Sequence, residues 1–245
     1  MIYPRHISIF ISTRALISLL LLFTLTLPAM AQKRVTTQKK EVKKGGKLFK
    51  IEKDSVPVFN GFELAFNLSG AATRWLSDRG EYEGALRLNI HDQYFPVIEV
   101  GVGSADHETD EVTGLSYKTT APYLRIGCDL NLLKNKHDRN RLYAGIRYAF
   151  TSYKIDVSRV NLPDPVWMTT SGFGINGETC NQHWAEVVFG LDAYIWGPLH
   201  LGWDVRYKRR IAYKESSLGN TWYVPGYGIY GDTRLGVNFN VIIDI

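Results

Sequence analysis

Cysteine is scarce. Cys128 and Cys180 are the only two in 245 residues, and they stand in different segments. Neither a metal-type nor a redox-type spacing is present, which excludes a zinc module, a dithiol redox centre and a disulfide-dense scaffold. Export would permit a disulfide, yet Cys128 reads as an ordinary apolar residue on one face of a strand and is expected to be unpaired. Long apolar runs are equally scarce. Beyond the N-terminal segment none approaches the roughly 18 residues that a membrane-crossing helix needs, so helical spans are excluded there. Charge of a single sign is missing from the body of the chain. The net charge of +5 comes from the N-terminal part, and residues 55–245 sum to −3. A nucleic-acid partner is therefore not expected.

The N-terminal part has two sections. Residues 1–31 have the layout of a secretory signal peptide. Arg5, His6 and Arg14 form a basic front, Ala15–Leu27 an apolar stretch, and Ala29-Met30-Ala31 a small-x-small cleavage pattern before Gln32. The alternative is an anchoring helix, but the apolar stretch falls short of the roughly 20 residues that a span requires. Residues 32–56 are polar and lysine-rich, with nine Lys or Arg between 33 and 54 against Glu41, Glu52 and Asp54. Such a composition buries too little apolar surface to offset its ordering entropy. It reads as a flexible periplasmic arm, either simply solvated or touching anionic headgroups.

From residue 57 onward the signal is alternation with period two, the mark of a strand with unlike faces. Pro122, Leu124, Ile126, Cys128 and Leu130 oppose Tyr123, Arg125, Gly127, Asp129 and Asn131. Leu199, Leu201, Trp203, Val205 and Tyr207 oppose His200, Gly202, Asp204, Arg206 and Lys208. Eight such segments run to roughly ten residues each, the length of a tilted membrane strand. Short links at 91–93, 133–140 and 196–198 alternate with long ones at 70–81, 104–117, 152–182 and 209–233. The expected fold is all-β: a closed antiparallel up-and-down transmembrane barrel of eight strands over 57–245. Ten strands are the alternative if 152–182 forms an extra hairpin.

Alternation alone also fits a soluble lipocalin-like barrel, so the character of the two faces decides. The apolar face is almost free of charge. The polar face carries Glu63, Arg87, Glu99, Arg125, Asp129, Arg147, Glu186, Asp192, Asp204, Arg206 and Arg234. Burying so many charges is tolerable only where they pair or meet water. A charged lumen inside a lipid-facing wall satisfies both faces. Aromatics near the strand ends suggest interfacial girdles: Tyr94, Phe95, Tyr143, Tyr194 and Trp196 at one rim, Tyr82, Tyr123, Phe150, Trp184 and Tyr207 at the other.

Arg125, Arg147, Glu99, Asp204 and Arg206 are expected at one depth. A barrel this small has room inside only for side chains, so they read as a paired plug rather than a polar conduit. A lipid-modifying enzyme would draw on His200 with Asp204 and Arg206, or on His183 with Glu186. No serine stands beside either histidine in a recognisable arrangement, and the two fall near opposite rims, so no catalytic site is expected. The acidic stretch Asp106-His107-Glu108-Thr109-Asp110-Glu111 suits a divalent cation chemically but lacks glycine-punctuated spacing, and reads as a solvated loop. Tyr153, Pro163, Pro165, Trp167 and Phe173 mark a loop suited to partner contact. No cofactor is expected. The expected partners are membrane lipid and lipopolysaccharide, with a protein partner left open and the chain itself a monomer.

Several stretches together resemble a known family. They are Pro57-Val58-Phe59-Asn60-Gly61, Tyr94-Phe95-Pro96-Val97-Ile98-Glu99-Val100-Gly101, and Pro122-Tyr123-Leu124-Arg125-Ile126-Gly127 with Asp129 and Asn131. Gly145-Ile146-Arg147-Tyr148, Trp184-Ala185-Glu186 and Pro225-Gly226-Tyr227-Gly228 complete the set. Over residues 57–240 the chain is similar to the Bacteroidetes outer-membrane proteins catalogued as domain of unknown function 6048. The resemblance implies an outer-membrane barrel and carries no activity and no catalytic residues.

Overall fold

The computed structural model describes residues 57–108, 113–163, 166–167, 170–219 and 221–245. The segments expected to be a signal peptide and a basic arm lie outside the described residues. Eight long strands build the wall. They are β1 (Phe59–Asn67), β2 (Arg79–Ile90), β3 (Tyr94–His107), β4 (Leu115–Asn131), β5 (Arg141–Pro163), β6 (Thr170–Trp196), β7 (Leu199–Lys214) and, after two short strands, β10 (Thr233–Asp244). All eight close into one antiparallel ring in the order β1, β10, β7, β6, β5, β4, β3, β2. Each long strand pairs with the next along the chain, and β10 closes the ring against β1. The short strands, β8 (Tyr223–Val224) and β9 (Gly228–Ile229), form a separate hairpin inside the β7–β10 link.

The period-two pattern sets the faces throughout. Ile98, Val100, Ile126, Ile146, Val187, Phe189, Val205 and Val237 point outward and are exposed, while Glu99, Arg125, Arg147, Glu186 and Asp204 between them are buried. At one rim, here called inner because β1 rises from it, the links are tight. His91 and Asp92 both adopt left-handed backbone, with φ of 60° and 55°, and Gln93 N donates to Ile90 O at 3.2 Å. That is the primed turn whose twist matches a hairpin.

The strand count is the one expected, and two features, the segment 70–81 and the aromatic girdles, depart from expectation. The segment 152–182 holds no extra strands. β5 and β6 simply continue through it as a tall hairpin of 23 and 27 residues, so the ring has the eight strands expected and not the ten of the alternative. The segment 70–81 is not an open loop but mostly a helix, α1 (Leu68–Leu76), N-capped by the Asn67 side chain, which accepts from Gly70 N at 3.1 Å. The aromatic girdles are thinner than expected, because Phe95, Tyr123, Tyr143 and Trp184 are buried inside the barrel. Each shares parity with a lumen charge on its own strand, and neighbouring residues cannot both face out. Tyr82, Tyr94, Phe150, Trp196 and Tyr207 do face out.

Candidate functional site

The centre of the lumen is a carboxylate hub. Glu99 lies 2.6 Å from Arg206 Nη1, 3.1 Å from Arg147 Nε and 3.3 Å from Arg125 Nη1. Those arginines come from three different strands, β7, β5 and β4, so the hub ties opposite walls together. Each arginine has further partners. Arg206 Nε is 2.7 Å from Asp204 Oδ1, and Arg125 Nε is 3.0 Å from Glu186 Oε1. Arg125 also pairs with Glu83, which accepts from Tyr123 OH at 2.6 Å. Asn238 and Asn240 donate to the two oxygens of Asp204, at 2.8 and 2.7 Å.

A second layer lies toward the inner rim. Arg147 grips Asp129 through Nη1 at 2.7 Å and Nη2 at 2.8 Å, and Asp129 in turn sits 3.6 Å from Arg87 Nε. Arg87 reaches Asp192 at 3.1 Å and Tyr143 OH at 3.2 Å. Arg141 forks onto Glu63, 2.6 Å to each oxygen, and contacts Asp192 at 2.5 Å. Isolated buried charges would be prohibitively costly, and mutual pairing of this density is what makes their burial tolerable. Below this layer the lumen opens into an inner vestibule of about 470 Å³ bounded by Glu63, Arg141, His200 and Asp244.

Toward the outer rim the link between β7 and β10 turns inward and caps the charges. Arg125 Nη2 donates to Gly226 O at 2.7 Å, and Lys208 Nζ donates to the same carbonyl at 2.8 Å. Gly226 has φ of +79°, and a Cβ there would lie 2.5 Å from the Tyr123 ring, so only glycine lets the cap settle onto the arginine layer. Tyr117 OH donates to Tyr223 O at 2.6 Å, and Tyr153 OH lies 2.8 Å from Thr221 Oγ1. Tyr117, Tyr123, Tyr153, Trp184, Tyr223, Val224 and Tyr227 form the apolar core of this cap.

Of the eleven charges expected in the lumen, ten join this network. The exception is Arg234, at the outer end of β10, whose Nε donates to Ile229 O at 2.8 Å. It has the right face but the wrong depth. Four participants lie outside the set that the sequence pattern singles out: Glu83, Arg141, Lys208 and the inward loop. Glu83 and Lys208 already stood on the polar face by alternation, and Arg141 shares parity with Tyr143 and Arg147. The loop carries no periodicity from which its direction could be read.

Other sequence expectations fare variously. Cys128 and Cys180 are both free thiols. His183 and His200 do lie at opposite rims. His183 is on the outward face, 2.9 Å from Tyr148 OH, whereas His200 pairs with Asp244 at 2.8 Å. Tyr153, expected on a partner-contact loop, is instead buried in the cap, while Trp167 is exposed. In the acidic stretch Asp106 pairs with Lys118 at 2.7 Å and His107 with Asp78 at 3.0 Å. Residues 109–111 of that stretch lie outside the described residues, as does Pro165.

Fold and lumen together define a class: a closed eight-stranded up-and-down barrel with an ion-paired interior and an inward cap. The chain belongs to the family described as Domain of unknown function (DUF6048), whose model matches residues 12–244. No curated protein matches it. Among solved structures it is similar to a major outer membrane protein from Thermus thermophilus, at 14% identity with a TM-score of 0.41. That likeness covers 76% of this chain and 98% of the other.

Proposed function

We propose that this protein is exported by a cleaved signal peptide to the bacterial outer membrane, where it acts as a monomeric, non-catalytic barrel of structural or surface-interaction type. Its lumen is closed to solutes, it uses no cofactor, and its outer loops and wall meet lipid and lipopolysaccharide. The observation that carries this reading is the inversion of the faces. Large apolar side chains cover the outside of the ring, while Glu99, Arg125, Arg147, Glu186 and Asp204 are buried within it. Water around such a wall would be costly at about 25 cal/mol per Å² of apolar surface, and hydrocarbon removes that cost. Each long strand pairs with a neighbour on both sides, and a closed ring of strands is the sheet form that a membrane tolerates.

The outer-membrane fraction of cells expressing the full chain provides the test. A band that changes gel mobility only after boiling, and that gives no steady conductance in a planar bilayer, is the expected result. A soluble, unshifted protein would remove the membrane assignment. A shifted band with a stable open channel would remove closure and leave a small-solute pore.

A further inference from the structure

The ring is not fully laddered. β1 pairs with β10 only from Glu63↔Asp244 to Asn67↔Asn240, and then the chain leaves the wall as α1. Above that point β10 pairs with β7 alone, through Thr233↔Arg209, and β2 pairs with β3 alone, through Arg79↔Ala105. A seam therefore opens in the outer half of the wall, bridged by one short helix. Two side-chain contacts stitch its lower end: Asn67 Nδ2 to Asn238 Oδ1 at 3.2 Å, and Phe239 N to Ser69 Oγ at 3.3 Å. The second contact fixes the parity, because alternate residues of a strand direct their backbone groups to the same side. Val237 and Leu235 thus direct theirs into the seam, where no strand receives them. In register they face Val205 and Tyr207, so the open edge lies at the height of the apolar wall.

Irregular or unpaired backbone at membrane depth is tolerated only where it lines protein or a polar, wetted space. Behind the seam is such a space, a cleft of about 470 Å³ between α1, the inward loop and β10. It holds three cations, Arg79, Lys208 and Arg234, against the single carboxylate of Glu81. Elsewhere in the lumen every arginine of the network touches a carboxylate. Here, among the described residues, none of the three cations does. Arg79 lies 5.6 Å over the Trp222 ring, and Arg234 and Lys208 bond only backbone carbonyls. The lips of the seam are apolar: Trp75 is 87% exposed and Leu235 75%.

We infer that this seam is a lateral binding site for a phosphate-bearing lipid of net negative charge, with the headgroup drawn into the cleft by Arg79 and Arg234 and an acyl chain lying along Leu235 and Trp75. The inference rests on the membrane placement above, and it adds a ligand class and a location. Arginine forks match phosphate geometry, and a headgroup oxygen can accept from the unpaired edge amides.

The test is native mass spectrometry of the full chain released from neutral-detergent micelles containing equal amounts of phosphatidylglycerol and phosphatidylcholine. The wild type should retain the anionic lipid about tenfold over the zwitterionic one, the scale of one charge-assisted contact. Arg79→Gln with Arg234→Gln should bring the ratio to about one, whereas Arg139→Gln at the inner rim should leave it unchanged. Should the double variant lose its heat-modifiable shift, Arg79→Gln alone decides, since that side chain makes no ion pair among the described residues. Equal retention of both lipids by a heat-modifiable wild type overturns the site while leaving the barrel intact; an unshifted wild type overturns the barrel reading itself. Displacement of the lipid by millimolar inorganic phosphate overturns the lipid assignment in favour of a free anion. A dimer that excludes lipid overturns it in favour of a second copy on the open edge.

Discussion

A charge's worth in this barrel depends on how many partners it has and how little water reaches it. Glu99 is almost wholly buried and touches three guanidinium groups. Removing its charge leaves those groups short of a counter-ion, and breaking a buried pair in this way costs about 3–5 kcal/mol. Glu99→Gln should therefore lower the urea midpoint of the refolded barrel clearly, and its gel shift should be lost at a lower temperature. Lys118 makes an equally short contact with Asp106, but in water. Lys118→Gln should leave both readouts unchanged, because solvent screens such a pair. A second residue-scale expectation concerns the inner rim. Burial alone would raise the Asp92 carboxyl, but hydrogen bonds from His137, Asn60 and Asn89 outweigh it and hold the group below the usual carboxylate range. A depressed carboxyl contributes stability above its unfolded value near about pH 4, and that contribution is lost as pH falls through the folded value. Amide exchange in the turn 91–93, corrected for intrinsic rate, should rise between about pH 5 and about pH 3. Asp92→Asn should flatten that dependence; a turn equally protected at both ends of the range would refute it.

At the scale of elements, the strands are legible in the sequence because each shows unlike faces to the outside of the ring and to the lumen, and period two records that directly. Alternation alone gives the polar face of β4 as Tyr123, Arg125, Asp129 and Asn131, and all four are buried. Alternation reports a face but not a depth. Alternation therefore groups Arg234 with Arg206, although it ends beside the cap, and nearness to a strand end assigns Phe95 to a girdle although it points inward. Elements without a period left no such record. The helix α1 occupies only nine residues, too few for a clear stripe, and it forms because Asn67 caps it and because glycine lets it approach β2. A Cβ on Gly80 would lie 2.4 Å from the Arg74 backbone. Asn67→Ala removes the cap and the stitch to Asn238 together, at a cost of about 1 kcal/mol for the cap alone. Gly80→Ala should push α1 off the wall and cost about 1–3 kcal/mol, as overpacking does. Both should raise amide exchange over 68–76 while leaving β4 and β5 protected. A uniform rise across the barrel would mean that α1 is integral to the ring and not a bridge over its seam.

At the scale of the whole molecule the proposed closure has two elements in series, and they differ in kind. The loop between β7 and β10 is a lid of aromatic packing, anchored by Gly226 O on Arg125 and Lys208. Beneath it, the network centred on Glu99 spans the lumen from β3 to β7. An eight-stranded ring leaves an interior only about as wide as its side chains, so the closure proposed above rests on that network and not on the lid. Replacing residues 217–231 by an Asn-Gly turn should therefore unpack Tyr117 and Tyr153 without creating a channel. In planar bilayers the shortened protein should stay at baseline conductance, while its tryptophan fluorescence shifts to the red as Trp184 loses Tyr227, now 5.7 Å away. Combining the deletion with Glu99→Gln removes the hub as well, and only that variant should show intermittent ion flow. Steady conductance from the loop deletion alone would make the lid the true gate, and the charged layer would then be its docking surface rather than the closure itself.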